Sequence, residues 1–334
     1  MKNSEHSLLR KILTKTAVLF SIPLIFIYVV FPLLFILFPY FMQHIFFLNF
    51  LRNPFQQYND LSQHGINSMG INFYLKNGLE SKLGVWHILP QSLSNKYHGK
   101  NLTLEEFEDL LKLEDYKVFL YLHGNTFDRT TPHRCALYNV LSSADFHVIA
   151  FDYRGYGDST GRPTDEGLAS DAVTVYKHLL KFANGRIYVW GHSMGTGVAC
   201  NSMKKMSKAG IPPKGIILES PFNNLRDVIL NHPLSKPFKW IPFQEQLFIG
   251  NLKKSGLIMD SDKHIKEIDA PILILHAEDD HVIPWQLGEK LHQSAIKAGK
   301  QSQYIKFESR HQFKHKFLYR ANEIPDLVKK FVQS

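Results

Sequence analysis

The pattern of hydrophobic and polar positions changes near residue 83. Before it, one long apolar run dominates; after it, short apolar runs alternate with segments whose apolar residues recur at helical spacing. The short runs predict strands at residues 83–89, 118–122, 147–151, 187–190, 215–219, 272–276 and 304–308, and helices near 134–144, 168–181, 194–209, 285–298 and 324–332. Several of these strands are continuously apolar, as expected for strands buried on both faces. The alternation therefore predicts an α/β fold with a mostly parallel sheet flanked by helices.

The long apolar run near the N-terminus, residues 17–38, carries no charge. Because it is long enough to cross a bilayer core of about 30 Å, we predict a transmembrane helix over residues 17–39. A secretory signal would have a shorter apolar core followed by a small-residue cleavage site, which this run does not resemble. Pro23 and Pro32 within the run predict a kinked span.

Charges on the two sides of this run predict its orientation. Basic residues precede it, at Lys2, Arg10, Lys11 and Lys15, whereas the segment that follows, up to Pro54, carries a single charge. The positive-inside rule then places residues 1–16 in the cytosol and the remainder in a lumen or outside the cell. The sequon Asn101-Leu102-Thr103 fits that side of the membrane, and Asn101 is a candidate glycosylation site.

The remaining chain is expected to have two parts, a juxtamembrane segment at residues 40–80 and a globular domain at 81–334. Residues 40–51 are predicted to lie at the membrane interface, with aromatic side chains at headgroup level. Within the globular domain, residues 223–266 mix prolines with aromatic residues and contain no convincing strand. Such an insertion between two strands predicts a lid or a substrate pocket, with an ordinary packing insertion as the alternative.

Composition narrows the possible partners. The chain has 39 Lys+Arg against 30 Asp+Glu, a formal net charge of +9. The basic residues are scattered and no nucleic-acid-binding motif accompanies them, so we favour a membrane surface and expect no nucleic acid partner. Two cysteines cannot form a disulfide framework, and Cys135 and Cys200 are expected to be buried packing residues in helices.

The stretch "WGHSMGTG" contains the strongest candidate for chemistry, Ser193. It follows a predicted strand and precedes a predicted helix, with Gly191 and Gly195 on either side. A serine hydroxyl is a poor nucleophile and needs a base within reach, which a sharp strand-to-helix turn allows. The GxSxG pattern alone is equally compatible with a simple tight turn.

A hydrolase would also need an acid and a base. Asp280 ends a buried predicted strand and is the preferred acid, with its neighbour Asp279 as the alternative. The structural alternative is that both aspartates only cap the helix that follows. His311 and His315, after the last predicted strand, are the candidate bases, and spacing alone does not choose between them. Four residues apart, these histidines could share a metal, but the HExxH glutamate is absent, so neither a metal nor a cofactor is expected.

The loop "LHGN" is the candidate oxyanion hole. The backbone N–H groups of Asn125 and of Met194, the residue after the serine, are placed to donate to a developing oxyanion. In the glycine-rich turn at residues 151–161, Asp152 and Arg154 are predicted to be structural.

The motifs "YLHGN", "FDYRGYGDSTG", "WGHSMGTGVA", "LESPF" and "LILHAEDDHV" together resemble the α/β-hydrolase fold. More closely, the chain resembles the membrane-anchored lysophospholipid and monoacylglycerol lipases that are member twelve of the α/β-hydrolase-domain proteins. The similarity extends through "FLNFLRNPF" and "LGVWHILP", from about residue 36 to 334.

The resemblance implies a single-pass protein of the endoplasmic reticulum whose lumenal domain hydrolyses lysophosphatidylserine and monoacylglycerols. It implies Ser193 as nucleophile, Asp280 as acid and His315 as base, with His311 as the alternative base. The chain departs from the family pattern after "HGN", where Thr126, Phe127 and Asp128 replace small residues. Two alternatives are an acyl-protein thioesterase, which would use the same triad, and a non-catalytic membrane-anchored binding protein, which would have no need of all three residues.

Overall fold

The protein is described by a computed structural model over residues 2–79, 81–231 and 233–333. An eight-stranded sheet forms its centre, in the order β1-β2-β4-β3-β5-β6-β7-β8. The strands are β1 (Gly70–Asn77), β2 (Ser81–Ile88), β3 (Val118–Leu122), β4 (His147–Phe151), β5 (Ile187–His192), β6 (Gly215–Glu219), β7 (Ile272–Ala277) and β8 (Ser302–Phe307). From β4 to β8 every pairing is parallel, whereas β1 and β2 are antiparallel additions at one edge. The predicted α/β fold is confirmed.

Helices cover both faces of this sheet. Five long helices lie between or after the strands: α6 (Pro132–Ser143), α7 (Asp165–Ala183), α8 (Met194–Lys208), α12 (Trp285–Lys297) and α13 (Ile324–Gln333). Two short helices, α4 (Gln91–Lys96) and α5 (Leu104–Leu110), follow β2. Alternate side chains of β3 enter two different cores: Leu120 packs with residues of α7, α8 and α12, and Tyr121 packs with residues of α6 and α13. This alternation explains why the central strands are apolar throughout, since neither face of the sheet meets water.

The edge strand β1 was not predicted from the sequence. It pairs in antiparallel register with β2, from Gly70 opposite Ile88 to Asn77 opposite Ser81. Its sequence, "GINFYLKN", is half polar because it has only one neighbour and is only partly buried. The predicted domain boundary at residue 81 therefore falls inside a hairpin, between two paired strands.

The N-terminal apolar segment is helical. It comprises α1 (Lys2–Ile25), a π-helical turn (Phe26–Val30) and α2 (Phe31–Leu37), and the stretch Arg10–Leu37 is long and apolar enough to cross a membrane. The π-helical turn lies between Pro23 and Pro32, at the place where the sequence predicts a kink.

The segment that follows the candidate membrane span packs more closely on the sheet domain than the sequence suggested. Helix α3 (Pro39–Phe47) buries Met42, Gln43 and Phe47 against the domain and exposes Tyr40 and Phe41. The segment predicted to lie at the membrane interface, residues 40–51, therefore also packs on the globular domain through one face of α3. We call the N-terminal helical segment from α1 to α3, residues 2–47, the anchor.

The insertion at residues 223–266 is helical, with no strand in its described part. Its elements are α9 (Leu225–Asn231), a 3-10 helix (Pro233–Phe238), a π-helical turn (Gln246–Gly250), α10 (Asn251–Lys254) and α11 (Ser261–His264). It packs on the end of the anchor through aromatic rings: Phe35 meets Phe248 edge to face, with ring centroids 4.9 Å apart.

Candidate active site

Ser193 occupies the sharp turn between β5 and α8 that the sequence predicted. Its backbone has φ 53° and ψ −119°, a conformation that costs energy for any residue other than glycine. The turn is held in place because the N–H of Ser193 donates to the carbonyl of Glu219, at 2.9 Å, on the neighbouring strand. Strain held by surrounding structure is typical of a nucleophile elbow.

Gly191 and Gly195, the two glycines of the motif, lie so close to neighbouring backbone atoms that neither position has room for a side chain. A Cβ on Gly195 would lie 2.0 Å from the carbonyl oxygen of Leu122, and one on Gly191 would lie 2.6 Å from the carbonyl oxygen of Gly195. Gly124 lies next to the same turn, since a Cβ on it would be in ordinary contact with the Cβ of Ser193, at 3.4 Å. The "HGN" loop therefore runs directly beside the serine.

Three residues distant in sequence form one hydrogen-bonded chain. Nε2 of His315 lies 2.9 Å from Oγ of Ser193, and Nδ1 of His315 lies 2.7 Å from Oδ2 of Asp280. An ionised carboxylate can only accept, so Nδ1 carries a proton and Nε2 is free to accept from the serine hydroxyl. All three residues are buried, which limits competition from water.

The environment of Asp280 keeps it ionised. Burial opposes ionisation, but the adjacent His315 and hydrogen bonds from His276 and His315 hold the pKa of Asp280 well below its ordinary value. Its second oxygen accepts the backbone N–H groups of Val282 and Ile283, both at 2.9 Å. A carboxylate fixed on both oxygens can hold an imidazole in one tautomer and stabilise its cation.

His192, which was not predicted from the sequence, forms a hydrogen bond with the backbone of His315. Its Nε2 donates to the backbone carbonyl of His315, at 2.9 Å. Burial, with the nearby His315, lowers the pKa of His192 to about 3, so its ring stays neutral. Nothing in the spacing of the motif marks this contact, because the two residues meet only in the folded chain.

The alternative candidates lie in different surroundings. The carboxylate of Asp279 accepts the backbone N–H of Lys314, at 3.0 Å, and so holds the loop that carries His315. His311 is exposed and stacks on Phe313, with ring centroids 5.3 Å apart. Neither residue joins the Ser193–His315–Asp280 chain.

The candidate oxyanion loop makes a contact that the sequence did not predict. The side-chain amide of Asn125 donates to the carbonyl of Phe46 in α3, at 2.9 Å. Within the described residues, the backbone N–H groups of Asn125 and Met194 donate to no protein acceptor. Both are therefore free to bind an oxygen atom of a ligand.

An apolar cavity of about 280 Å³ opens at Ser193. Its walls come from the sheet domain, the insertion and the anchor, and the anchor side includes Phe31, Phe35, Met42 and Phe46. A cavity lined in this way suits an apolar chain next to a polar reacting centre.

The remaining predicted residues are either buried in the fold or exposed at its surface. Cys135 and Cys200 are buried in α6 and α8 as free thiols, as predicted. Asp152 accepts the backbone N–H of Arg129, at 2.7 Å, and so joins two loops, whereas Arg154 pairs with Asp171 and joins its loop to α7. Asn101 is exposed in the loop before α5.

Comparison with known proteins agrees with this architecture. The family model for the α/β-hydrolase fold matches residues 117–205. An α/β-hydrolase from Vibrio vulnificus superposes with a TM-score of 0.65 at 19% identity, over 88% of this chain and 93% of its own. The Pyrococcus furiosus esterase Pf2001 gives a TM-score of 0.59 at 18% identity, over 84% of this chain and 96% of its own. The fold, together with the relatives below, defines a carboxylic ester hydrolase of the α/β-hydrolase class.

More similar relatives identify the family. The lysophosphatidylserine lipase ABHD12 of Danio rerio is 37% identical over 92% of this chain and 81% of its own length. The Xenopus tropicalis protein of the same name is 38% identical over 94% of this chain and 82% of its own. The human protein ABHD12B is 39% identical over 71% of this chain and 65% of its own. The chain belongs to the ABHD12 family.

Proposed function

We propose that the chain is a membrane-anchored lipase that releases fatty acid from lysophospholipids, lysophosphatidylserine in particular, and from monoacylglycerols. In this proposal Ser193 is the nucleophile, His315 the base and Asp280 the acid. The observation that carries it is the Ser193–His315–Asp280 hydrogen-bonded chain at the mouth of an apolar cavity. The lysophosphatidylserine lipases among its relatives support the substrate class.

The proposed reaction has two halves. Nε2 of His315 takes the hydroxyl proton of Ser193 as Oγ attacks the ester carbonyl, and the N–H groups of Asn125 and Met194 bind the oxyanion. His315 then gives that proton to the departing glycerol oxygen, which leaves an acyl-serine. Water attacks the acyl group while His315 takes a proton from it, and the fatty acid leaves as the proton returns to Ser193. Asp280 stabilises the imidazolium in both halves.

In this proposal, the membrane helix would hold the site close to its lipid substrate. On the insertion, Trp240 and Phe243 are exposed, and the ring of Trp240 packs on Tyr28 of the anchor, with centroids 4.8 Å apart. Exposed aromatic side chains beside a membrane helix suit the lipid interface. The substrate would therefore enter from the bilayer, with residues 223–266 as its lid.

The orientation follows from the charges that flank the span. Residues 1–16 would be cytosolic and the catalytic domain lumenal, in the endoplasmic reticulum, with a glycan on Asn101. Endoglycosidase treatment tests this: the wild type should gain mobility on a gel, whereas Asn101→Gln should not. Thr103→Ser is the matched control, because it keeps the sequon and should behave as the wild type does. An unshifted wild type would contradict a glycosylated lumenal domain.

The activity is tested with membranes that carry the wild type, Ser193→Ala, His315→Ala or His311→Ala. Fatty-acid release is measured from lysophosphatidylserine, a monoacylglycerol and an acylated peptide. Loss of a triad member should reduce turnover by about 10⁴ to 10⁶-fold, whereas His311→Ala should retain activity. Serine-dependent activity on the peptide alone would indicate a thioesterase. No serine-dependent activity, with no reaction of Ser193 with a fluorophosphonate probe, would indicate a binding protein.

A further inference from the structure

The wall of the apolar cavity includes side chains of the membrane helix itself. Phe31 and Phe35, both in α2, line the same cavity as Ser193. Phe238 and Phe248 of the insertion line the cavity beside them. The cavity is therefore incomplete without the end of the membrane span.

This part of the helix is fixed to the catalytic domain by packing. Phe35 is only 6% exposed and meets Phe248 edge to face, and the ring of Phe31 stacks on Phe238 with centroids 5.6 Å apart. Aromatic pairs of this kind contribute stability beyond the burial of their area. The anchor is thus a wall of the enzyme as well as a tether.

Hydrogen bonds to and from α3 fix the same wall further along the chain. The amide of Gln43 donates to the carbonyl of Ser255 in the insertion, and the hydroxyl of Tyr156 donates to the carbonyl of Phe47. With the bond from Asn125 to Phe46, these contacts connect the anchor to the insertion, the sheet domain and the loop beside Ser193.

The opposite side of α2 has a different environment. Leu33, Ile36 and Leu37 are between 46% and 63% exposed, whereas Phe35 is buried. A membrane helix is expected to be apolar all round, so composition does not distinguish a side that meets lipid from one that meets substrate. The packing does distinguish them: the outer residues are available to the bilayer, and Phe31 and Phe35 face the cavity.

We infer that Phe31 and Phe35 are specificity-determining residues for acyl-chain length, because the fatty acyl chain of the substrate lies against them during hydrolysis. This inference rests on the proposed lipase function. Each methylene that gains or loses apolar contact changes kcat/KM about fourfold. Changing the volume of these rings should therefore change the preference between long and short acyl chains.

The test uses the full-length chain in detergent micelles, with decanoyl and stearoyl monoacylglycerols as substrates. Phe35→Ala enlarges the cavity and should raise the stearoyl-to-decanoyl ratio of kcat/KM by at least about fourfold. Phe31→Trp fills it and should lower that ratio by a similar factor. Ile36→Ala, on the exposed side of the same helix, is the matched control and should keep the wild-type ratio.

The readout separates specificity from folding. A ratio of two kcat/KM values from one preparation does not depend on the fraction of active enzyme, and fluorophosphonate labelling of Ser193 measures that fraction. Opposite shifts for Phe35→Ala and Phe31→Trp would support the inference. If both variants keep a ratio within about twofold of the wild type and hydrolysis still depends on Ser193, the inference about Phe31 and Phe35 is overturned but the proposed function is not. A wild type without Ser193-dependent ester hydrolysis would overturn the proposed function as well.

Discussion

The side-chain amide of Asn125 donates to the backbone carbonyl of Phe46, at 2.9 Å. Asn125 belongs to the loop beside Ser193, and Phe46 belongs to α3, the helix that follows the candidate membrane span. The same residue therefore offers its backbone N–H to the site and its side chain to the anchor. Movement of α3 would therefore change the position of the loop that is proposed to bind the oxyanion.

We predict that Asn125→Ala lowers kcat/KM by about fivefold while Ser193 still reacts with a fluorophosphonate. The backbone N–H remains, but the loop loses a hydrogen bond worth about 1 kcal/mol and with it a fixed position. Kinetics on a monoacylglycerol measure the effect. Asn53→Ala, an exposed asparagine in the same juxtamembrane region, is the control and should match the wild type. Equal kinetics for the two variants would show that the contact with Phe46 does not position the loop.

The two adjacent carboxylates should differ sharply in their importance. Asp280→Asn should lower kcat by about 10⁴-fold, because an amide at this position favours the wrong tautomer of His315. Asp279→Asn keeps an oxygen that can accept the N–H of Lys314, so we expect less than about a tenfold loss. Steady-state turnover of both variants on the same ester makes the comparison. A larger loss for Asp279→Asn would reverse the assignment of the acid.

Gly195 and Gly197, two residues apart in α8, should respond differently to alanine. The new Cβ at position 195 would meet the carbonyl oxygen of Leu122 at 2.0 Å, a backbone atom that cannot move away. At position 197 it would meet side-chain atoms of Met259 and Phe222, at 3.2 and 3.3 Å, which have more freedom. Gly195→Ala should cost more than about 4 kcal/mol of the free energy of unfolding, and Gly197→Ala about 1 kcal/mol. Denaturant titration in detergent measures both, and equal losses would contradict the close approach.

His192 should make the fold sensitive to acid. Its folded-state pKa is about 3, lowered first by burial, whereas an unfolded histidine titrates near 6.5. Between these values the unfolded chain binds a proton that the folded chain does not, so stability falls as pH drops through that window. At pH 5 the loss from this residue is about 2 kcal/mol relative to pH 8.

A substitution isolates this contribution. His192→Gln keeps a donor for the carbonyl of His315 but does not titrate, so its stability should fall less between pH 8 and pH 5 than that of the wild type. Urea unfolding in detergent at the two pH values gives the comparison. His311→Gln, at an exposed position, is the control and should follow the wild type. Parallel losses for His192→Gln and the wild type would show that His192 is not held neutral.

The sequence by itself determined the α/β fold and the serine turn. Both are local signals: continuous apolar strands alternate with helical periodicity, and glycines flank Ser193 where backbones must pass closely. The strand predictions at 118–122, 147–151 and 215–219 coincide with β3, β4 and β6 for this reason. The edge strand β1 was missed because a half-exposed strand has a weak apolar pattern.

Only the tertiary structure decided which residues meet. Asp280 and Ser193 lie 35 and 122 positions from His315 along the chain, and residue type and spacing alone left His311 and Asp279 open. The packing brings His315 to Ser193 and leaves His311 in solvent. Likewise, an apolar helix has the same kind of side chain on every face, so its sequence does not show which residues line a cavity. Phe31 and Phe35 become part of the cavity wall only because α2 packs on the insertion.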